Sequence, residues 1–281
     1  MEDGLKSGVS NPNLALFFRK VKLKVSETLK TISCRNCNAQ LAVEMFAKNF
    51  KVCPHCDYHH YMSAHERLNL IIDTDSFEEY DANLYSIDSL EFPEYPEKLE
   101  RDVAKTGLKS EMLSGIANIG GYPTAIAIGD VGFIGGTCGS VIGEKVTRCI
   151  ERALENQLPL VIVSVSGGMR MQEGTLALMQ MAKTAAACAE YAKSGVFYIS
   201  VVTDPTFGGA TASYTSLGDV IVAEPGARIG FAGPLAVASL REELPENFQK
   251  AESLLEHGFI DSIVHRADMR QMLIDLIAFA S

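Results

Sequence analysis

Tryptophan is absent from the chain, and by itself that excludes no function. Other absences say more. No uninterrupted apolar run reaches the roughly 18–20 residues that a helix needs to cross a bilayer, so no membrane span is expected. The N-terminus is polar, with no apolar stretch ahead of a small-residue cleavage site, which argues against a secretory signal. Positive charge is in deficit: 25 Lys and Arg stand against 35 Asp and Glu, a formal net charge of −10, so the chain as a whole is not a general polyanion binder. The phosphate-cradling patterns GxGxxG, at a first strand–helix turn, and GxxxxGKS/T are both missing. No Ser–His–Asp set is legible, and His257 and His265 lack a convincing nucleophile, so no side-chain nucleophile is expected.

A metal signature is present. Four of the seven cysteines form two identical pairs, Cys34-Arg35-Asn36-Cys37 and Cys53-Pro54-His55-Cys56, fifteen residues apart. Two such knuckles complete a tetrahedral four-thiolate shell of the kind Zn²⁺ favours, and a closed shell is structural, with no open position for substrate. His59 and His60 follow the second knuckle. With four thiolates filling the shell, they are expected at the surface or in packing. Cys138, Cys149 and Cys188 sit in apolar or Gly-rich surroundings, and three leftovers argue for reduced thiols in a cytoplasmic protein.

Residues 1–30 read as a tail, with Arg19, Lys20, Lys22, Lys24 and Lys30 interleaved with Phe17, Phe18, Val21 and Leu23. A solvated arm is the expected role, ahead of a contact with nucleic acid or an acidic partner. Residues 31–60 hold the zinc ribbon, and Leu41–Phe46 and Phe50–Val52 suit hairpin strands. Residues 61–281 form the main domain. Ser63 with Glu66 has the capping-box spacing of a helix start. The stretch Glu91-Phe92-Pro93-Glu94-Tyr95-Pro96 marks a connection. Beyond about residue 112, apolar runs at 124–129, 158–165, 196–202 and 219–222 alternate with helical stretches at 140–156 and 173–193. That alternation predicts an α/β domain with strands buried on both faces. Leu176, Met179 and Met181 are read as helix core.

Three Gly-rich turns carry the candidate chemistry: 132–140, Ser166-Gly167-Gly168-Met169-Arg170, and Thr206-Phe207-Gly208-Gly209-Ala210. The last two each follow an apolar strand and precede a helix-like run. Such corners expose backbone N–H groups, and two of them can aim donors at a developing oxyanion. The competing reading is that the glycines only permit tight turns.

Taken together, these stretches resemble one family. The knuckles followed by Asp57-Tyr58-His59-His60, then GGTCGSVIGEK (135–145), SVSGGMRMQEG (164–174), LMQMAKT (178–184), YISVVTDPTFGGATAS (198–213), GDVIVAEPGARIGFAGP (218–234) and LLEHGFIDSIVHR (254–266), look like the β subunit of bacterial acetyl-CoA carboxylase carboxyltransferase. The resemblance runs from about residue 30 to the C-terminus. It implies a crotonase-like (ClpP/crotonase) ββα superhelix behind the four-cysteine zinc ribbon, and a separate α subunit in an α2β2 assembly. The implied reaction moves CO2 from carboxybiotin, on a biotin carboxyl carrier protein charged by biotin carboxylase, to acetyl-CoA. The product is malonyl-CoA, for fatty acid synthesis. By resemblance, the backbone amides of Gly208, Gly209, Gly167 and Gly168 are the oxyanion donors, with Met169 and Phe207 beside them against the substrate. Arg170 and Gln172 have two readings: orienting substrate or anchoring the loop.

The chain departs from the family pattern at four places. Met169 stands where alanine is usual, Thr137-Cys138 where Ser-Met is usual, Phe207 where threonine or methionine is usual, and Leu235 where an arginine is expected. These departures open a second reading as a specialised copy: insensitive to an inhibitor, altered in acyl substrate, or a malonyl-thioester decarboxylase.

Overall fold

The computed structural model describes residues 30–239 and 244–280. The basic segment of the tail up to Lys24 and the side chain of Leu235 lie outside the described residues. A small antiparallel pair, β1 (Thr31–Ser33) with β2 (Gln40–Ala42), leads into the short helix α1 (Val43–Lys48). Residues 43–46, expected as strand, are therefore helical. Glu, Met, Ala and Lys are all good helix formers, and one turn suffices to bury Phe46 in the ribbon.

The helix α2 (Ala64–Ile71), β3 (Glu78–Glu79) and α3 (Tyr95–Thr106) come next, and the Ser63–Glu66 capping box at the start of α2 is formed. Then follow β4 (Met112–Ile119), β5 (Tyr122–Gly129), α4 (Ser140–Glu155), β6 (Leu160–Gly167), α5 (Gly174–Ala192), β7 (Tyr198–Phe207), β8 (Val220–Ala223) and β9 (Ile229–Gly230). The chain ends with α6 (Pro234–Ser239), α7 (Ala251–Glu256), β10 (Ser262–Ile263) and α8 (Met269–Ala280). The main sheet runs β10-β8-β7-β6-β5-β4-β3. It is parallel from β10 to β5 and antiparallel at β4 and β3.

Both faces of this sheet are covered. Ile126, Ile128, Val161, Val163, Ile199 and Val201 pack with α2 and α8 through Leu68, Ile71, Leu273 and Ile277. Their alternates Ala125, Ala127, Leu160, Ile162 and Tyr198 pack with α4 and α5 through Ile142, Val146, Ile150 and Tyr191. This double burial is why the strands read as unbroken apolar runs rather than alternating ones.

Strand β4 escaped the sequence reading. Its hairpin to β5 turns on Gly120 and Gly121, both at positive φ (62° and 87°). That conformation suits a two-residue hairpin turn, and Asp73 accepts both glycine N–H groups at 2.9 and 2.7 Å. Leu176 and Met179, expected in the core, are exposed, and the face of α5 that packs inward carries Ala177, Thr184, Cys188 and Tyr191 instead.

Strands β6 and β7 bend near their ends. Their register shifts between Ser164 and Ser166, and β7 exchanges β8, paired at 199–202, for β9, paired at Thr206 and Phe207. Beyond the shift the two strand ends remain paired with each other, and β9 takes the place of β8 beside β7.

One buried ion cluster joins the ribbon to the domain. Arg67 of α2 and Arg266 grip Glu224 at 2.6 Å and 2.7 Å, while Arg266 also donates to the carbonyls of Phe50 and His60 at 2.9 Å. His59 stands 3.6 Å from the same carboxylate. His59 and His60 are thus packing residues, both buried. Burial alone would raise the Glu224 pKa, but Arg67 and Arg266 outweigh it and hold the carboxyl well below the usual range. The stability it contributes is therefore present above the unfolded value of about 4.3 and is lost as pH falls through the depressed folded value. Glu224→Gln should cost about 3–5 kcal/mol at neutral pH, because two buried guanidiniums lose their partner. It should also flatten the acid limb of the stability profile, and thermal melts across pH check both.

Candidate active site and metal centre

The two cysteine knuckles are built alike. In each, the first cysteine's N–H donates to the carbonyl five residues on (Ala39, Tyr58) and its carbonyl accepts from the residue after the second cysteine (Asn38, Asp57). Asn38 and Asp57 both take positive φ, 60° and 58°, a conformation these two residue types tolerate. The Sγ atoms of Cys34 and Cys56 are 3.7 Å apart, those of Cys37 and Cys53 are 3.8 Å apart, and all four lie within 4.8 Å of one another. Four thiolates about 2.3 Å from a tetrahedral Zn²⁺ stand about 3.8 Å apart, so the donor set fits that ion. A disulfide needs sulfurs at about 2.05 Å. Asn36 donates its N–H to Cys34 Sγ at 3.4 Å and its side-chain amide to Cys56 Sγ at 3.5 Å, which suits ionised sulfur.

The structure brings the second and third glycine turns into contact. Strand ends β6 and β7 pair Ser166 with Thr206 and Gly167 with Phe207, so Gly168 and Gly208 leave the sheet side by side. Both have positive φ, 112° and 71°. A Cβ on Gly208 would stand 2.9 Å from Gly168 Cα, and one on Gly167 would stand 2.7 Å from the carbonyl of Gly135 in the first turn. Only glycine allows such an approach.

Of the amides expected as donors, those of Gly168 and Gly208 are taken up within the protein and that of Gly209 is open. The Gly168 N–H donates to Ser166 Oγ at 3.0 Å, and the Gly208 N–H donates to the carbonyl of Gly230, also at 3.0 Å. The amides of Met169 and Gly209 donate to no acceptor among the described residues. Neither corner opens directly into an α-helix. A 3-10 turn, Met171–Glu173, separates the first from α5, and the second continues through turns into Tyr214–Leu217. The open donors are turn amides, not helix-terminal ones.

Phe207, expected against substrate, and Arg170, for which that was one of two readings, are both inside the protein. Phe207 is 4% exposed, so its bulk does not stand before the corner. Arg170 has no solvent exposure at all. Its guanidinium pairs with Glu111 at 3.0 Å and Glu173 at 3.3 Å. It also donates to the Thr137 carbonyl and Ser86 Oγ, each at 2.8 Å. Burial opposes that charge, but Glu111, Tyr95 and Glu173 outweigh it and raise the Arg170 pKa. Of its two readings, the loop anchor is the one the geometry supports. Gln172 is half-buried and lines a separate cavity with Glu94, Lys98 and Arg101. Met169 is half-buried and lies against Gly209.

Glu111, Glu173, Ser166, Gly230 and Met181 take part in this arrangement without having been singled out as site residues. Glu173 was legible only as the acid of the 164–174 motif, and Gly230 comes from a strand of two residues. A cavity of about 260 Å³ opens between the ribbon and the ends of β5–β7, lined by Arg35, Tyr58, Val165, Thr203 and Arg228. Arg228 is tied to Asp204 at 2.8 Å.

Residues 62–267 match the carboxyl transferase domain family. The acetyl-coenzyme A carboxylase carboxyl transferase subunit beta of Desulforamulus reducens is 48% identical over 248 residues, 88% of this chain and 86% of that protein. The subunit of the same name from Syntrophomonas wolfei is 47% identical over 88% of each. Among solved structures, transcarboxylase 12S with methylmalonyl-coenzyme A bound has a TM-score of 0.67 at 23% identity. The match covers 98% of this chain, which spans 48% of the transcarboxylase chain. A Pseudomonas malonate decarboxylase hetero-dimer has a TM-score of 0.59 at 20% identity, covering 78% of this chain and 86% of that one. These two likenesses show the fold of the main domain, which is crotonase-like, and the four-cysteine ribbon ahead of it rests on the sulfur cluster of this chain. At the identity and coverage of the two bacterial subunits the relationship is one of family, and the chain belongs to the acetyl-coenzyme A carboxylase carboxyl transferase subunit beta family.

Proposed function

We propose that the chain is the β half of a biotin-dependent carboxyltransferase that forms malonyl-CoA from acetyl-CoA, with the carboxyl group delivered on a biotin carboxyl carrier protein. The observation that carries this reading is the meeting of two strand-end corners whose Met169 and Gly209 amides have no acceptor among the described residues. Carboxybiotin supplies the carboxyl group and, once relieved of it, a base for the methyl proton. The chain therefore needs donors more than a base of its own. Turn amides at Met169 and Gly209 stabilise the negative charge that grows on the thioester oxygen as the methyl group loses its proton. Fixed donors of this kind need no reorganisation during the reaction. The cavity beneath the ribbon, with Arg35 and Arg228 on its wall, suits the anionic body of coenzyme A.

Completion of the site falls to a partner of the same fold, the α subunit of an α2β2 assembly. Met171, Leu176, Leu178 and Met179 expose apolar surface next to the first corner, as an unfilled contact face does. The bulk of Phe207 is taken up inside the protein, so it does not call for a specialised copy. Cys34, Cys37, Cys53 and Cys56 hold one structural Zn²⁺. Among the described residues no helix is long and apolar enough to cross a membrane, and the reduced cysteines suit the cytoplasm.

Purified chain mixed with an α-type subunit from the same source should form malonyl-CoA from acetyl-CoA and carboxybiotin, and neither protein should do so alone. An assembled complex without turnover would overturn the reading. In that complex, Gly208→Ala should lower kcat about 100-fold or more, because a left-handed residue clashing with backbone must displace one corner from the other. Gly209→Ala presses on the Met169 and Met181 side chains rather than on backbone and should lose about tenfold less, so the two rates side by side check the geometry. Metal analysis should find one zinc per chain. Cys53→Ser should lose it and make the ribbon protease-sensitive while the far-ultraviolet spectrum of the 112–281 core persists, since metal binding is most of the folding energy of such modules.

A further inference from the structure

Gly209 is not at positive φ, unlike Gly168 and Gly208, so its backbone would accept any residue. Its neighbours are what exclude a side chain. A Cβ there would stand 2.6 Å from Met181 Sδ and would overlap Met169 Sδ outright. Two thioethers, one from the first corner and one from α5, are pressed against the α-carbon of the second corner. On its other side, the Gly209 carbonyl accepts from Ser213 Oγ at 2.5 Å. Carbonyl and α-carbon are both held, and the N–H is left open.

Met169 is itself fixed. It forms an isolated parallel bridge with Cys138, whose N–H donates to the Gly168 carbonyl and whose carbonyl accepts from the Arg170 N–H, both at 2.8 Å. A residue straddled in this way turns its own N–H and C=O to the opposite side. The nitrogen of Met169 accordingly lies 3.5 Å from where a Cβ of Gly208 would be. Its side chain packs on the cluster that contains Cys138, Ile142, Ala210 and Tyr214. About 10 Å³ of void remains between these groups, the lower limit for a single water. A methionine in open surroundings would be too flexible to position anything, but this one is half-buried and held between Gly209 and the Cys138 cluster.

We propose that the Met169 side chain, braced by Cys138 and Met181, is a positioning residue that sets where the Gly209 amide stands. The inference rests on the carboxyltransferase reading for its effect on rate, but not for its geometry. Cys138 and Met169 then behave as one packing unit: bulk removed from one is restored by bulk added to the other, while either change alone moves Gly209.

The test uses the complex with the α-type subunit and three variants: Met169→Ala, Met169→Leu, and the exchange Cys138→Met with Met169→Cys. The readouts are kcat and KM for acetyl-CoA well below the melting temperature, the melting temperature itself, and the Gly209 amide resonance in ¹H–¹⁵N spectra of the isolated chain. Met169→Ala should lower kcat by about 10- to 100-fold, the scale of a misplaced reacting group, with KM changed by less than about threefold because a displaced donor acts on the transition state. The Gly209 resonance should shift with it, and the exchange variant should recover most of the lost kcat and return the resonance. A lower melting temperature with kcat and resonance unmoved would make Met169 structural only and overturn the proposal. If Met169→Ala does not fold, Met169→Leu decides, since it keeps the volume while changing the contact with Gly209: an unmoved resonance and kcat overturn the proposal, and a shift in both upholds it. A wild-type complex that assembles without turnover would sink the carboxyltransferase reading instead, and the Gly209 resonance would then decide this inference alone.

Discussion

Arg170 has no contact with solvent, yet it carries a full charge, and the turns that build the site are tied to it. Its guanidinium reaches Thr137 in the first glycine turn and Glu173 beyond the second, and Glu173 in turn accepts the N–H of Ser140 at the start of α4. Glu111, at the entry to β4, closes the cluster. A lone buried guanidinium would be prohibitively costly, and with two carboxylates and several oxygen acceptors around it the cost is largely offset. Such a cluster adds little net stability over apolar packing, but it tolerates few alternative arrangements. Two glycine-rich turns that would otherwise sample many conformations are held to one.

The ribbon is attached by the same device. Glu224 leaves the end of β8 and is gripped by Arg67 and Arg266, and Arg266 spends its remaining N–H on ribbon carbonyls. The knuckles fold around their own sulfurs, while the clamp fixes where the folded module sits over the ends of β5–β7. Local folding of the ribbon and its docking therefore rest on different groups, the four-cysteine cluster for the first and a buried ion cluster for the second.

The departures from the family pattern have physical outlets. Phe207 turns into the protein. Met169 takes the space beside the smaller Cys138 and comes to rest on Gly209. Glycine is needed at 168 and 208 for conformation and close approach, while the open amides are those of Met169 and of Gly209, the second of them among the donors expected from the motif. A glycine in such a motif need not be the donor.

Much of this was legible beforehand. Four cysteines at fixed spacing need only local turns to converge, so the ribbon and its cluster of four sulfurs followed from spacing. The helices at 140–156 and 173–193 and the buried strands followed from periodicity, because parallel strands covered on both faces leave unbroken apolar runs. Motif resemblance gave the family. The sequence could not show that Leu176 and Met179 face outward, since an apolar stripe looks the same whether it meets the core or a partner. Nor could it place residues 43–46 in a helix, because so short a run is decided by what Phe46 can bury. Arg170 read equally well as substrate contact or anchor, until Glu111, 59 residues away, and Glu173 were seen to enclose it. The identity of the open amides was likewise settled by distant partners, Gly230 taking the N–H of Gly208. Spacing and periodicity determined the cysteine cluster and the α/β class, and motif resemblance determined the family. Tertiary structure alone decided which amides are free and which charges are enclosed, because both depend on groups brought together from far apart in the chain.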